Sequence, residues 1–188
     1  ILALMSVTSI YAQSQIFDVN GIYYRLIQDT ISGNGGMIAQ VTTIGDTEHY
    51  QGAVSIPSTV SLNGFEYNVG AINDMAFKNC DLLTSISIPA SVMQIPAGIF
   101  YGCNNLTSIT VASGNKYYDS RDNCNAVIER STNTLIAGCK NTFTPTTVTS
   151  IGECAFYGCR DLISINLPYS ITSIGKWAFL DCTSLLSS

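Results

Sequence analysis

Histidine is the side chain best suited to moving protons near neutral pH, and this chain has one, His49, in the segment GDTEHYQG. A catalytic histidine needs a nucleophile and an orienting carboxylate. Glu48 is adjacent, but the sequence shows no G-x-S-x-G and no Cys–His arrangement, so His49 reads as a surface residue. The acidic residues are dispersed and lend no support to a pair of carboxyls facing each other across a glycosidase cleft. Asp119, Asp122 and Asn125 suggest a calcium loop, yet their spacing misses the D-x-[DN]-x-[DN]-G pattern, and a solvated turn is the better reading. The seven cysteines form no C-x-x-C pair and have no ligand cluster beside them, so zinc is not expected. Neither an enzyme nor a cofactor or metal site is predicted.

What the sequence does contain is repetition. Phe77 and Phe100, Cys80 and Cys103, Phe156 and Phe179, Cys159 and Cys182, and Pro145 and Pro168 all lie 23 residues apart. Within each unit the pattern is L-x-x-I-x-[IVL] followed by Pro or Ala, then S-V-x-x-I, then A/I-F-x-x-C. Leu83, Ile86, Ile88, Val92, Ile95, Phe100 and Cys103 fill one copy, and Leu162, Ile165, Leu167, Ile171, Ile174, Phe179 and Cys182 fill another. A period in the twenties with this apolar spacing predicts a leucine-rich-repeat solenoid, mainly β. The alternating segment should be a short strand with one buried face, and the Phe-x-x-Cys segment is long enough only for a single helical or 3-10 turn. One unit's apolar side chains cannot offset the chain entropy of ordering it, so units must stack about 4.8 Å apart to be stable. Leu83, Leu106 and Leu162 should start equivalent strands, and Phe77, Phe100, Phe156 and Phe179 should form one continuous buried stack. Four of the cysteines, Cys80, Cys103, Cys159 and Cys182, occupy a repeat position and read as small buried hydrophobes.

The period breaks twice. Pro57 to Pro89 spans 32 residues, which places an excursion at about 62–70, and Phe100 to Phe156 spans 56, which places an insertion near 112–144. In that insertion AVIE and TLIA flank the turn-prone RSTN and predict a β-hairpin. Centring its turn on Ser131 and Thr132 puts Glu129 opposite Thr134, Val127 opposite Ile136, and Cys124 opposite Cys139. The last pair would lie within disulfide reach.

Upstream, FDVNGIYYRLIQDT and MIAQVTTIG read as strands with SGNGG as the turn between them, forming an N-terminal β cap over 13–50. The repeats then occupy 51–188. The chain opens on a short apolar run, ILALMSVTSIYAQSQ, that resembles the h-region and cleavage site of a signal peptide, with 1–12 as the residual leader and cleavage after Ala12. The protein is therefore expected to be secreted or on the cell surface, with no membrane insertion after signal cleavage. The C-terminus falls inside the next unit's strand, and the chain is expected to be truncated there.

Only 11% of the 188 residues are charged while 46% are hydrophobic, which argues against disorder. A net charge of −5 with scattered Lys and Arg makes nucleic acid an improbable partner. Positions between the inward residues of each strand must face solvent. These are Thr84, Ser85 and Ser87, then Thr107, Ser108 and Thr110, then Ile163, Ser164 and Asn166, a ladder of hydrogen-bonding groups suited to an extended protein or glycan. Tyr117 and Tyr118 of the insertion would add aromatic anchors.

VTSIGECAFYGC (148–159) and ITSIGKWAFLDC (171–182) resemble the BspA-type leucine-rich repeats of bacterial surface proteins, whose units run close to IP-x-SV-T-x-IG-x-x-AF-x-x-C-x-x-L. DVNGIYYRL and DSRDNCNAVIE also look like segments of that family. The resemblance implies an exported, adhesin-like binding module for a host or microbial surface protein or glycan. The alternative is a structural spacer that presents a further C-terminal domain.

Overall fold

The computed structural model describes residues 15–43, 45 and 50–186. The expected leader at 1–12 and His49 lie outside the described residues. The chain is mainly β, with thirteen strands and one short 3-10 turn at Arg121–Asn123 among the described residues. No helix among them is long and apolar enough to cross a membrane.

Two Asn-Gly pairs build the N-terminal part. Asn20-Gly21 (φ 54° and 79°) and Asn63-Gly64 (φ 51° and 81°) have positive φ at both central positions, as the tight turns that match hairpin twist require. The first joins β1 (Phe17–Val19) to β2 (Ile22–Gln28), so FDVNGIYYRLIQ is a hairpin and not one strand. The second joins β5 (Thr59–Leu62) to β6 (Phe65–Ile72), which turns the excursion at 62–70 into a second hairpin. β3 (Met37–Thr42) runs antiparallel to β2 and parallel to β6, giving the order β1-β2-β3-β6-β5.

The second sheet is parallel throughout. β4 (Gly52–Ser55), β7 (Leu83–Ile88) and β8 (Ser108–Val111) lie side by side, and Ser85 pairs with Ser108 and Ile86 with Ile109. The sequence offset of 23 is therefore the sheet register. β7 starts at Leu83 as expected. Leu106 is buried but β8 begins two residues later, and the buried Leu162 starts no strand.

The third sheet runs β13-β12-β11-β10-β9. β10 (Ala126–Glu129) and β11 (Thr134–Gly138) form the expected hairpin, with β9 (Tyr118–Asp119) on its outer side. On the other side β11 pairs in parallel with β12 (Ser150–Ile151), and β12 with β13 (Ser173–Ile174), again 23 residues apart. The hairpin thus substitutes for repeat strands. It also divides the core in two. Val127, Ala137 and Cys139 pack into one hydrophobic cluster, while Ala126, Ile128 and Leu135 face the other.

Each Phe-x-x-Cys segment is a single turn closed by an i→i+3 bond, Cys103 N to Phe100 O at 3.1 Å and Cys159 N to Phe156 O at 3.0 Å. The turn needs one left-handed residue per unit, and Asn79, Gly102, Gly158 and Asp181 supply it with φ between 57° and 74°. The phenylalanines do not form one stack. Tyr50, Phe77 and Phe100 are in contact at centroid distances of 5.0 and 5.9 Å, and Phe156 lies on Phe179 at 5.2 Å. Between the two groups stand Gly138 and Cys139 of the hairpin, which has no aromatic at that rung.

The repeat cysteines do more than fill space. The Cys103 thiol donates to Phe77 O of the preceding unit at 2.9 Å, and Cys182 to Phe156 O at 3.1 Å. Cys103→Ala removes this inter-unit bond and leaves a small void. Chemical denaturation should show a loss of about 1–2 kcal/mol, and an unchanged midpoint would refute the bond's contribution.

Candidate binding surface

The parallel sheet presents its outward row as anticipated only in part. Thr84, Ser87 and Thr110 are exposed, while Ser85, Thr107 and Ser108 are half-buried. Backbone pairing aligns Ser55, Ser87 and Thr110 across the three strands. Several of the hydroxyls hold the units together: Thr107 Oγ1 donates to Thr84 O at 3.1 Å, and Thr110 Oγ1 to Ile86 O at 3.4 Å. The same device recurs where Thr172 Oγ1 donates to Thr149 O at 3.1 Å and Ser170 Oγ to Val148 O at 2.7 Å. Ile163, Ser164 and Asn166 are exposed but belong to no strand. β8 is the last strand of its sheet, so these three do not extend its ladder.

The two insertion tyrosines divide between roles. Tyr117 is 40% exposed and available to a ligand, whereas Tyr118 is 7% exposed and is not an anchor. Its hydroxyl accepts from Ile95 N at 3.2 Å and donates to Met93 O at 3.4 Å, tying the insertion to the preceding repeat. Burial is the main reason its hydroxyl is held above the usual phenol range.

The expected Cys124–Cys139 bridge is not formed; both are free thiols. Glu129 does face Thr134, but a bulge follows, so that Val127 faces Ala137 and Ile136 drops out of the ladder. A shift of one residue exchanges the two faces of a strand. Cys139 consequently points into the first cluster and donates to Asn125 O at 3.4 Å, while Cys124 packs in the second. Burial pushes the Cys124 thiol up to about 11, which leaves little thiolate for exchange.

Beside the outer edge of β8 the insertion forms a groove of about 590 Å³, lined by Thr110, Ser113, Ser120, Asp119, Arg121 and Arg130 among others. Its floor is an ion cluster. Asp119 is 7% exposed, so it is no solvated turn residue. Its Oδ1 accepts from Arg121 N at 3.2 Å and Nε at 2.8 Å, and its Oδ2 accepts from Arg121 Nη2 at 2.8 Å. Arg130 Nη1 lies 3.3 Å from the same Oδ2. Arg121 is further held by Asn133 Oδ1 at 3.0 Å and Thr147 Oγ1 at 3.3 Å. Burial alone would raise the Asp119 carboxyl, but the Arg121 hydrogen bonds and the charges of both arginines hold it below the usual carboxylate range. Neither arginine was singled out from the sequence. The signal was the acidic and basic residues of DSRDN and ER, which the hairpin brings together across β9 and β10.

A model of the BspA type leucine rich repeat region matches residues 42–132 and 136–188, in six copies. Among solved structures, a leucine-rich repeat protein from Bacteroides ovatus is 26% identical, with a TM-score of 0.55 over 90% of this chain and 39% of that one. A leucine rich cell surface protein from Faecalibacterium prausnitzii is 22% identical, with a TM-score of 0.44 over 92% of this chain and 54% of that one. The chain thus spans about two fifths to a half of the length of these structures. No curated protein matches it. With the repeat model covering most of its residues and the 23-residue offset reappearing as strand register, the chain belongs to the BspA-type leucine-rich repeat family.

Proposed function

We propose that the chain is a segment of an exported or cell-surface binding module, a solenoid capped by its N-terminal sheet, which recognises a protein or glycan of a host or microbial surface. One observation carries this reading. Thr110 belongs both to the outward row of the parallel sheet and to the lining of the groove, so repeat face and insertion make one continuous polar surface over a packed apolar interior. The resemblance of the apolar run at 1–15 to a signal-peptide h-region supports export, and a family built on interaction scaffolds favours binding over catalysis.

The test is binding of the purified chain to arrayed glycans and extracellular-matrix proteins. Ser87→Lys places a long charged side chain on an exposed strand position and should weaken the strongest interaction at least tenfold, with thermal unfolding unchanged. If no arrayed molecule is bound, or if Ser87→Lys binds like the native chain, the repeat face is not the recognition surface.

A further inference from the structure

We propose that the groove beside β8 binds a carboxylate-bearing saccharide, with Arg130 taking the carboxylate and Tyr117 carrying the sugar ring; this rests on the binding-module reading. The charge balance of the cluster is the first reason. Two guanidiniums share the single carboxylate of Asp119, whose oxygens accept from Arg121 and face Arg130. Asp119, Arg121 and Arg130 therefore sum to one positive charge in a chain whose net charge is −5, and Asp122, whose charge also acts on Arg121, does not line the groove. Glu129 does not line the groove, and its carboxylate accepts from Thr132 Oγ1 at 2.5 Å across the turn, so it does not cancel the excess there.

Donor accounting is the second reason. Arg121 is occupied by Asp119, Asn133 and Thr147. Arg130 gives Nε to Tyr118 O at 3.0 Å and holds Nη1 3.3 Å from Asp119 Oδ2 as an ion pair, which leaves the hydrogens of Nη2 uncommitted, and its side chain is 40% exposed. A planar fork with unused donors matches a carboxylate bidentately. Ser120 Oγ accepts from Val111 N at 2.9 Å, which leaves its O–H to donate into the same space.

The rest of the lining identifies the carrier. Val111 is the one large apolar side chain beside Thr110, Ser113, Ser120 and Asn123. An acidic peptide would need apolar pockets for its anchoring side chains, whereas hydroxyls and an amide suit the donors and acceptors of a sugar. Tyr117 completes the site. Tyr118 pairs with Glu129 in the antiparallel ladder, and Arg130 N donates to Tyr117 O at 2.9 Å. Tyr117 and Arg130 thus stand opposite one another just past the ends of β9 and β10, which sets an exposed aromatic residue across from an incompletely used guanidinium.

Isothermal titration with oligosaccharides of galacturonate, glucuronate and N-acetylneuraminate tests the proposal, with their carboxyl-reduced counterparts and tri-glutamate as comparators. At least one acidic saccharide should bind, its reduced form at least tenfold more weakly. Arg130→Gln should weaken the acidic form at least tenfold and Tyr117→Ala at least threefold, with Arg160→Gln, an exposed cation outside the groove, leaving it unchanged. Equal affinity for the reduced form, tighter binding of tri-glutamate, or no binding by any acidic saccharide would overturn the assignment. In those cases an arrayed partner still sensitive to Ser87→Lys would leave the binding-module reading standing.

Discussion

Phe156→Ala should lower the unfolding free energy by about 3–5 kcal/mol, and Gly138→Ala by about 1–3 kcal/mol, yet the two together should cost less than their sum. Phe156 is 1% exposed and lies almost flat on Phe179, with ring planes 9° apart. Its truncation removes an aromatic ring from the second cluster at the point where the hairpin meets the following repeats. Gly138 is on the other side of that ring. A methyl group there would run into Phe156 Cε1 and approach Cζ to 2.6 Å, and Gly138 N is meanwhile bound to Ala155 O at 2.8 Å, which keeps the two backbones from moving apart. The ring fills the space because residue 138 has no side chain. In the double variant the new methyl occupies part of the cavity left by the ring, so a coupling of at least about 1 kcal/mol is expected. Denaturant titration of the four proteins measures it. Additivity within about 0.5 kcal/mol would mean that ring and glycine do not share the site.

The parts of this fold that were legible in the sequence are those set by local spacing. Pairing of Ser85 with Ser108 and of Ser150 with Ser173 repeats the 23-residue offset, because identical units stacked in parallel align equivalent residues. The hairpin around RSTN was legible for the same reason, as two apolar runs and a polar turn. The dipeptides Asn20-Gly21 and Asn63-Gly64 carried an equally direct signal, which reading them inside longer segments obscured. What spacing does not encode is competition between faces. Ile136 leaves the ladder because Val127 and Ala137 pack toward one cluster while Ile128 and Leu135 pack toward the other, and that choice depends on side chains from distant repeats. Alternation likewise marks Thr107 and Thr110 as outward positions, but not that their hydroxyls reach back to carbonyls of the preceding unit. For Tyr118, composition gives no way to distinguish an exposed aromatic anchor from one whose hydroxyl takes the place of a backbone partner for Ile95.

The groove's ion cluster should be visible in the pH dependence of stability. Replacing Asp119 with Asn keeps the shape of the side chain but removes the charge that two guanidiniums face, and one of its acceptor oxygens becomes a donor pointing at Arg121. Hydrogen bonds to charged groups contribute about 1.5–3 kcal/mol. Arg130 is 40% exposed and its share is screened by water, so a loss of about 1–3 kcal/mol at pH 7 is expected for Asp119→Asn. The direction with pH follows from the carboxyl's lowered proton affinity in the folded chain. In the unfolded chain an aspartate titrates near about 3.9. Above that value the folded state's preference for the carboxylate is fully present, and it disappears as pH falls through the lower folded value. The gap in unfolding free energy between native chain and variant should therefore be constant from neutral pH down to about pH 4 and close below it. Raising the ionic strength should shrink the gap only slightly, because Asp119 and Arg121 are in bidentate contact with side chains 10% and 25% exposed. A gap that stays the same at pH 3, or that vanishes in high salt at pH 7, would show that Asp119 acts through its shape alone and that the arginines stand in the groove without it.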